Sequence, residues 1–480
     1  MFRSFLKDSV IYAIPTFISR GLSLILVPLY TRVLNPADYG SLDLLLAFAA
    51  IINLTVALEI SQAVARFYPE ETDFQYKIAY ASSAFWFTLC CYSLFAVISL
   101  LLTSRIAHLV MGQPGLEATF QIGIVYIWSS GLFNLIQNQF RWELRSRNYA
   151  IISLLMSFVT AGVAVWLTYG LHWGLTGLLL GMVTGSLVGA ISGLWWLRNS
   201  FRFVFDVVRL REMLTFSSPL VFSGAAVWIS LYIDRILINH FLSASEVGLY
   251  GIGYRLSSIA GLVMVGFQGA LTPLIYTYHR EEDTPRQLAR IFRLFLAFAL
   301  IMFLGLSLFS IDILRFFTTA PFYGGSVVVV YLVPAILLAQ MNIFAPGIDI
   351  AKKTYLHIWI NVGGALLIAA LNYFLIPILG IVGSGLATLL GYLFVFTVYM
   401  VLSQKYYKVP HRWYQVFIAV ILAAILAGGG QRLVVVDLVR WFFSIFSLVF
   451  FVIICLALGL IRASELRQGV LLVKKFFRWE

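Results

Sequence analysis

The side chains able to do chemistry in this chain are charges embedded in long apolar runs. Arg20 lies close to the middle of one run, Asp234 and Arg235 in the outer half of another, and Arg255 in the next. Asp43 and Glu59 share a further run, with Arg66 seven residues beyond Glu59 and on the same helical face. A charge in hydrocarbon costs roughly 3 kcal/mol or more, so it faces a partner or a wet cavity. Arginine's planar fork donates two parallel hydrogen bonds to phosphate. Arg20, Arg235 and Arg255 are therefore read as lining a cavity and binding an anionic headgroup. The competing reading is structural, with these arginines paired to Asp234, Glu59 or backbone carbonyls between helices. Adjacent helical residues point about 100° apart, so only one of Asp234 and Arg235 is expected to face a cavity. In the structural reading Asp234, on the neighbouring span, neutralises Arg255. Asp43, Glu59 and Asp234 are candidates for coupling transport to an ion gradient by protonation, or else are hydrogen-bonded carboxyls between helices. Arg66 is an interfacial anchor or marks a portal mouth.

Amides form a second set. Asn134, Gln137 and Asn138 fall on one helical stripe by their i, i+3, i+4 spacing. Asn134 and Asn138 are candidate contacts for sugar hydroxyls, with hydrogen bonding between helices as the alternative use. No catalytic constellation is readable. The six histidines are scattered singly, and Cys90, Cys91 and Cys455 lie inside apolar runs, so neither a metal, a cofactor nor a disulfide is expected. Pro15, Pro28, Pro219, Pro273, Pro334 and Pro346 lie within predicted spans, where proline removes a donor and kinks the helix.

The elements that hold these residues follow from composition. Of 480 residues 61% are hydrophobic and only 11% charged, with a mean hydropathy of +0.93. Such a chain cannot cover itself with polar surface, so lipid is its solvent and the fold is all-α. About 20 apolar residues cross a bilayer. On that rule fourteen transmembrane helices are predicted, at 9–31, 41–67, 78–104, 118–140, 149–170, 175–197, 213–241, 248–278, 288–311, 326–348, 356–376, 381–403, 413–430 and 438–461. The net charge of +12 does not signal nucleic acid, because the cations sit in short connections between spans. With the N-terminus inside, 24 of the 33 Lys and Arg fall in inner segments and 5 in outer ones. The positive-inside rule then puts both termini in the cytoplasm.

The chain also repeats itself. Asn35-Pro36-Ala37-Asp38-Tyr39-Gly40 after the first span is echoed about 208 residues later by Ser243-Ala244-Ser245-Glu246-Val247-Gly248. Further echoes keep register: Arg145 to Tyr149 with Lys352 to Tyr355, Gly174-Leu175-Thr176-Gly177 with Gly380-Ile381-Val382-Gly383, and Glu70-Glu71 with Glu281-Glu282. Six spans per repeat give two pseudo-symmetric lobes of one orientation. The expected domains are 1–198, a basic linker 199–212, 213–404, and 405–480 with two additional helices and a basic tail.

Ser19-Arg20-Gly21, Pro28-Leu29-Tyr30-Thr31-Arg32, Asp38-Tyr39-Gly40, Arg66-Phe67-Tyr68 and Glu246-Val247-Gly248-Leu249-Tyr250 resemble the Wzx-type polysaccharide-transporter flippases. That family belongs to the superfamily of MATE exporters and lipid II flippases. The resemblance implies two six-helix lobes around a central cavity. It also implies translocation of undecaprenyl-diphosphate-linked oligosaccharide from the inner to the outer leaflet of the inner membrane, for O-antigen, capsule or exopolysaccharide biosynthesis. Its usual headgroup arginines match Arg20 and Arg255 in type and place. The expected partners are that lipid-linked oligosaccharide and membrane lipids, with a glycan polymerase and export machinery as further candidates. The rival readings are a MATE-like exporter of small cationic compounds and, last, a membrane glycan polymerase or ligase. An exporter of cations wants a cavity dominated by carboxylates, and a polymerase wants a sizeable outer loop.

Overall fold

The computed structural model describes residues 15, 18–19, 21–22, 25–432 and 437–461; Arg20 and about half of the predicted span 9–31 lie outside them. The described residues contain helices and no strand. Thirteen of the helical segments are long and apolar enough to cross a bilayer. The chain is a multi-pass membrane protein.

It divides into two compact units. The first comprises Met1–Gly251 with Phe317–Phe322, and the second Ile252–Phe316 with Tyr323–Glu480. The first unit holds α1 (25–33), α2 (Pro36–Thr55), α3 (Ile60–Phe67), α4 (Phe74–Leu101), α5 (Thr103–Met111), α6 (Glu117–Trp142), α7 (Ser146–Val165), α8 (Gly174–Trp196), α9 (Val207–Phe241) and the first turns of α10 (Ala244–Tyr278). A π-helical turn, Trp166–Gly170, extends α7. The second unit holds the rest of α10, then α11 (Thr284–Leu308), α12 (Ser310–Phe317, up to Phe316), α13 (Val329–Gln340), α14 (Gly347–Ile350), α15 (Tyr355–Leu379), α16 (Ile381–Tyr406), α17 (Trp413–Arg432) and α18 (Asp437–Ala457).

Within the first unit α8 packs on both α6 and α7, and its sequence shows how. Gly177, Gly181, Gly185, Gly189 and Gly193 recur every fourth residue and form a flat stripe. A methyl at Gly181 would meet the backbone of Ala164 on α7 at 2.6 Å, and one at Gly189 would meet the Phe133 ring on α6 at 2.6 Å. Lipid gives helices no hydrophobic drive to associate, so close backbone approach supplies the dispersion energy instead. The linker after α8 is fastened to α4: Arg202 and Asp206 donate their backbone N–H groups to Ser82 Oγ (2.9 Å) and Ser83 Oγ (2.8 Å). Asp206 in turn caps α9 by accepting from the N–H groups of Val208 and Arg209.

The internal repeat is visible in backbone detail. Asn35 Oδ1 caps α2 by accepting from the Asp38 N–H (2.8 Å), and Ser243 Oγ accepts from the Glu246 N–H (3.3 Å) at the start of α10. The polar echoes in the sequence are therefore two N-caps. Leu144 and Lys352, 208 residues apart, both have left-handed backbones with φ of +57° and +56°. In each turn the next N–H reaches back five residues: Arg145 donates to the Phe140 carbonyl (2.8 Å) and Lys353 to the Ile348 carbonyl (3.0 Å). This is one helix-terminating turn, used twice.

Two predicted spans are broken in their interior. The span 41–67 breaks at Val56–Glu59 into α2 and α3, with Leu58 and Glu59 both left-handed (φ +50° and +53°). No glycine or proline marks the break; Thr55 turns its hydroxyl back to the Ile51 carbonyl, which loosens the helix end just before it. The span predicted at 326–348 is a chain of short pieces from Ala320 to Ile350, with 3₁₀ turns on both sides of α13 and Pro346 leading into α14.

Candidate functional site

Asp43 on α2, Asp234 and Arg235 on α9, and Tyr250 in the first turns of α10 meet inside the first unit, at residue exposures of 8%, 3%, 5% and 0%. Arg235 Nη1 donates to Asp234 Oδ1 and to the Leu231 carbonyl, each at 2.8 Å, and its Nε lies 3.7 Å from Asp43 Oδ2. The Tyr250 hydroxyl donates to Asp234 Oδ2 at 2.6 Å. The guanidinium also faces the rings of Tyr232 and Tyr250, 5.5 and 5.7 Å from their centroids. A methyl at Gly251 would strike the Asp43 carboxylate, so glycine there leaves the room the carboxylate occupies.

Asp234 and Arg235 thus engage each other although they are neighbours in sequence. The flexible arginine stem folds back along α9, which overrides the 100° separation of their Cβ directions. Asp234 is taken up by Arg235 and Tyr250. Arg255, on the second-unit part of α10, is half-buried and makes interactions of its own. Tyr250 carried no signal as a site residue in the sequence, because nothing there shows that its hydroxyl reaches back to Asp234 near the C-terminal end of α9.

Glu59 sits at the break, capping position of α3, half-buried, and its carbonyl accepts the Gln62 N–H (2.8 Å). Arg66, in the last turn of α3, pairs with Glu70 and keeps 55% of its side chain exposed. The amide stripe of α6 divides among three surroundings. Asn138 donates to Ser61 Oγ on α3 (3.2 Å), Gln137 donates to Ser153 Oγ on α7 (2.5 Å), and Asn134 is exposed on the unit's surface.

The second unit holds a half-open cavity of about 1210 Å³ that the sequence did not announce. Its wall comes from α11, α13, α16 and α17 and is mainly apolar: Phe292, Leu300, Leu337, Leu393, Phe417 and Ile425 are typical. The polar side chains on it are Tyr331, Thr397 and Gln404, and none of the described lining residues is charged. The helix α17 supplies one wall, which gives a purpose to a segment without a counterpart in the first repeat. Each of these residues reads in the sequence as ordinary lipid-facing surface.

A family model described as "Polysaccharide biosynthesis protein" matches residues 5–279, more than half of the chain. The chain belongs to that family. Among solved structures it is similar to the lipid II flippase MurJ in an inward closed conformation, with a TM-score of 0.71, 15% identity, and coverage of 92% of this chain and 98% of that one. It is also similar to an inward-facing multidrug resistance MATE transporter of the MOP superfamily, with a TM-score of 0.65, 15% identity and coverage of 83% and 97%. A Vibrio cholerae MATE transporter, VcmN D35N, gives a TM-score of 0.58 at 14% identity over 84% and 96%. No curated protein matches. The fold is that of the superfamily to which the sequence motifs pointed.

Proposed function

We propose that this member of the family is a flippase. It carries undecaprenyl-diphosphate-linked oligosaccharide from the inner to the outer leaflet of the cytoplasmic membrane by alternating access, for surface polysaccharide assembly, with both termini in the cytoplasm. The observation that carries this reading is the uncharged, apolar cavity of about 1210 Å³ in the second unit, which suits a long hydrocarbon chain and not a soluble cation. Arg20 and Arg255 are the headgroup residues in this reading, and Asn134, exposed on its unit, and Asn138 contact sugar. Arg235 reaches a phosphate only if its cluster with Asp43 and Asp234 opens. That cluster, with Glu59, is then the ion-responsive element. Arg66 lies at the portal. The lobes 1–198 and 213–404 are the repeats that exchange access, joined by 199–212 and followed by 405–480. A glycan polymerase and export machinery act downstream.

One observation favours the rival reading of a MATE-like exporter: the Asp43–Arg235–Asp234 cluster holds more carboxylate than guanidinium. Deletion separates the two. Loss of the gene should leave lipid-linked oligosaccharide on the inner leaflet, identified by mass spectrometry; drug sensitivity with intact glycan export sinks the flippase. Arg20→Ala should abolish export with normal membrane insertion, and Arg20→Lys should restore part of it, since a point charge replaces a fork. Normal export by Arg20→Ala removes that residue from the headgroup site.

A further inference from the structure

The duplicated turn, between α6 and α7 in the first unit and between α14 and α15 in the second, is closed by side chains as well as by its backbone. In the first unit Arg141, in the last turn of α6, donates from Nη2 to the Tyr149 hydroxyl on α7 at 2.7 Å. Its guanidinium lies 4.6 Å from the centroid of that ring. In the second unit Asp349 on α14 and His357 on α15 stand 208 residues from these two. His357 Nε2 lies 2.8 Å from Asp349 Oδ1. Each pair reaches across eight residues and over the same left-handed turn. The place of the staple is kept, and its chemistry is changed. Arginine and phenol hold their protons throughout the neutral range. Imidazole is the side chain that titrates between about pH 5 and 8.

Three elements of the second unit meet on His357. Its Nδ1 lies 2.9 Å from the hydroxyl of Tyr399 on α16, a buried residue, and Asn361, one turn along α15, hydrogen-bonds the same hydroxyl. An ionised carboxylate only accepts, so Nε2 carries a hydrogen in either state of the ring and the exchangeable proton belongs on Nδ1. In the neutral ring Nδ1 accepts from the Tyr399 O–H. In the charged ring Nδ1–H donates to the Tyr399 oxygen, and the Asp349 contact becomes an ion pair. Of the cations in the turn, Lys352 is exposed, and Lys353 Nζ lies 3.3 Å from the Tyr406 hydroxyl and 4.5 Å from that ring's centroid. The helix α17 brings Trp413 to the same core. Phe396, Met400 and Trp413 belong both to that core, which includes Tyr399 and Ile348, and to the wall of the large apolar cavity.

We propose that Asp349, His357 and Tyr399 form a proton-binding site that fixes the α14–α15 turn and, with it, the adjoining wall of the apolar cavity. The proton comes from solvent to His357 Nδ1, and the Asp349 carboxylate balances its charge. The site is separate from the ion-responsive element proposed for the first unit and does not depend on the flippase reading. Proton uptake strengthens the staple, so the turn is held tightly below the imidazole range and loosens as pH rises through it. The Arg141–Tyr149 staple does not respond. Hydrogen–deuterium exchange of the full chain in detergent tests this locally, apart from titrations elsewhere in the chain. Protection of residues 347–358, corrected for the intrinsic exchange rate, should fall roughly two- to fivefold between pH 6 and pH 8, the scale of a partly exposed ion pair. Residues 139–150, the equivalent turn of the first unit, serve as the reference and should hold constant. His357→Gln should abolish the pH dependence. So should Asp349→Arg/His357→Tyr, which installs the first unit's pair and carries the test if His357→Gln does not fold. A wild-type ratio equal to that of the reference turn, or a pH dependence that persists in either variant, overturns the site.

Discussion

Arg235 is the residue on which the first unit's interior depends most. A buried charge left without its partner is strongly destabilising, by about 3–5 kcal/mol. Arg235→Ala would take away the guanidinium that faces both Asp43 and Asp234, leaving Asp234 the Tyr250 hydroxyl, and should lower stability by up to about that much. Asp43→Asn leaves the 2.8 Å contact of Arg235 with Asp234 intact and weakens the longer 3.7 Å one, so its cost should be smaller. Thermal unfolding of the two variants in detergent checks the order; equal losses would place Asp43 on a par with Asp234. A different residue governs the response to pH. Burial pushes the His411 imidazole down to about 4 from its ordinary 6.5. Between these values the unfolded chain binds a proton that the folded one does not, so stability falls as pH drops from 6.5 towards 4 and is independent of this group above 6.5. His411→Phe should flatten that part of the melting-temperature profile. At this scale the sequence located Asp43, Asp234 and Arg235 by their cost in lipid, but it could not show that a folded-back arginine joins two of them. Spacing along a helix gives directions of Cβ atoms, not the reach of a long stem.

The helix break between α2 and α3 shows where reading elements from hydropathy stops. Residues 41–67 are apolar enough to read as one span, and no proline or glycine interrupts Val56–Glu59. Yet Leu58 and Glu59 are both left-handed, a conformation costing about 1–3 kcal/mol each for residues with a Cβ. Irregular backbone at membrane depth persists where it is buried in protein or lines a wet cavity. The break places Glu59 at the N-terminal end of α3, where the helix dipole favours a carboxylate. Leu58→Gly should relieve left-handed strain and leave stability unchanged or raised by up to about 1 kcal/mol, net of the lost apolar side chain, whereas Leu58→Val should lower it by more than 1 kcal/mol. Both follow from melting temperatures, and destabilisation by Gly as large as by Val would mean that the side chain's packing, not the backbone, decides this position. The broken span from Ala320 to Ile350 differs in this respect, since Pro334, Pro346 and Gly347 announce an irregular element there.

At the scale of the whole molecule, periodicity and composition made the architecture legible, because a duplicated chain repeats its caps and turns at a fixed offset. The large apolar cavity was not legible, since its wall is assembled from four helices whose residues look like lipid-facing surface one by one. Nor do the packing units coincide with the repeats: α9 begins the second repeat but packs against α2, α3 and α4. The repeats touch reciprocally at their caps. A methyl at Gly40 would collide with the Ala244 carbonyl, and one at Gly248 would collide with the Pro36 carbonyl, each pair 208 residues from the other. The obstacles are backbone atoms, which cannot rotate aside, so Gly40→Ala and Gly248→Ala should each destabilise by roughly 1–3 kcal/mol. Each added methyl also meets the backbone nitrogen of the other glycine, at 2.9 Å for Gly40 and 3.1 Å for Gly248. Once one substitution has forced the first turns of α2 and α10 apart, the second finds the space already open. The double variant should therefore cost less than the sum of the two singles by 0.5 kcal/mol or more, roughly the coupling seen between residues in contact. Strict additivity in that cycle, measured by unfolding in detergent, would mean that the two glycines are independent and that the reciprocal contact is not what sets how closely the two helices cross.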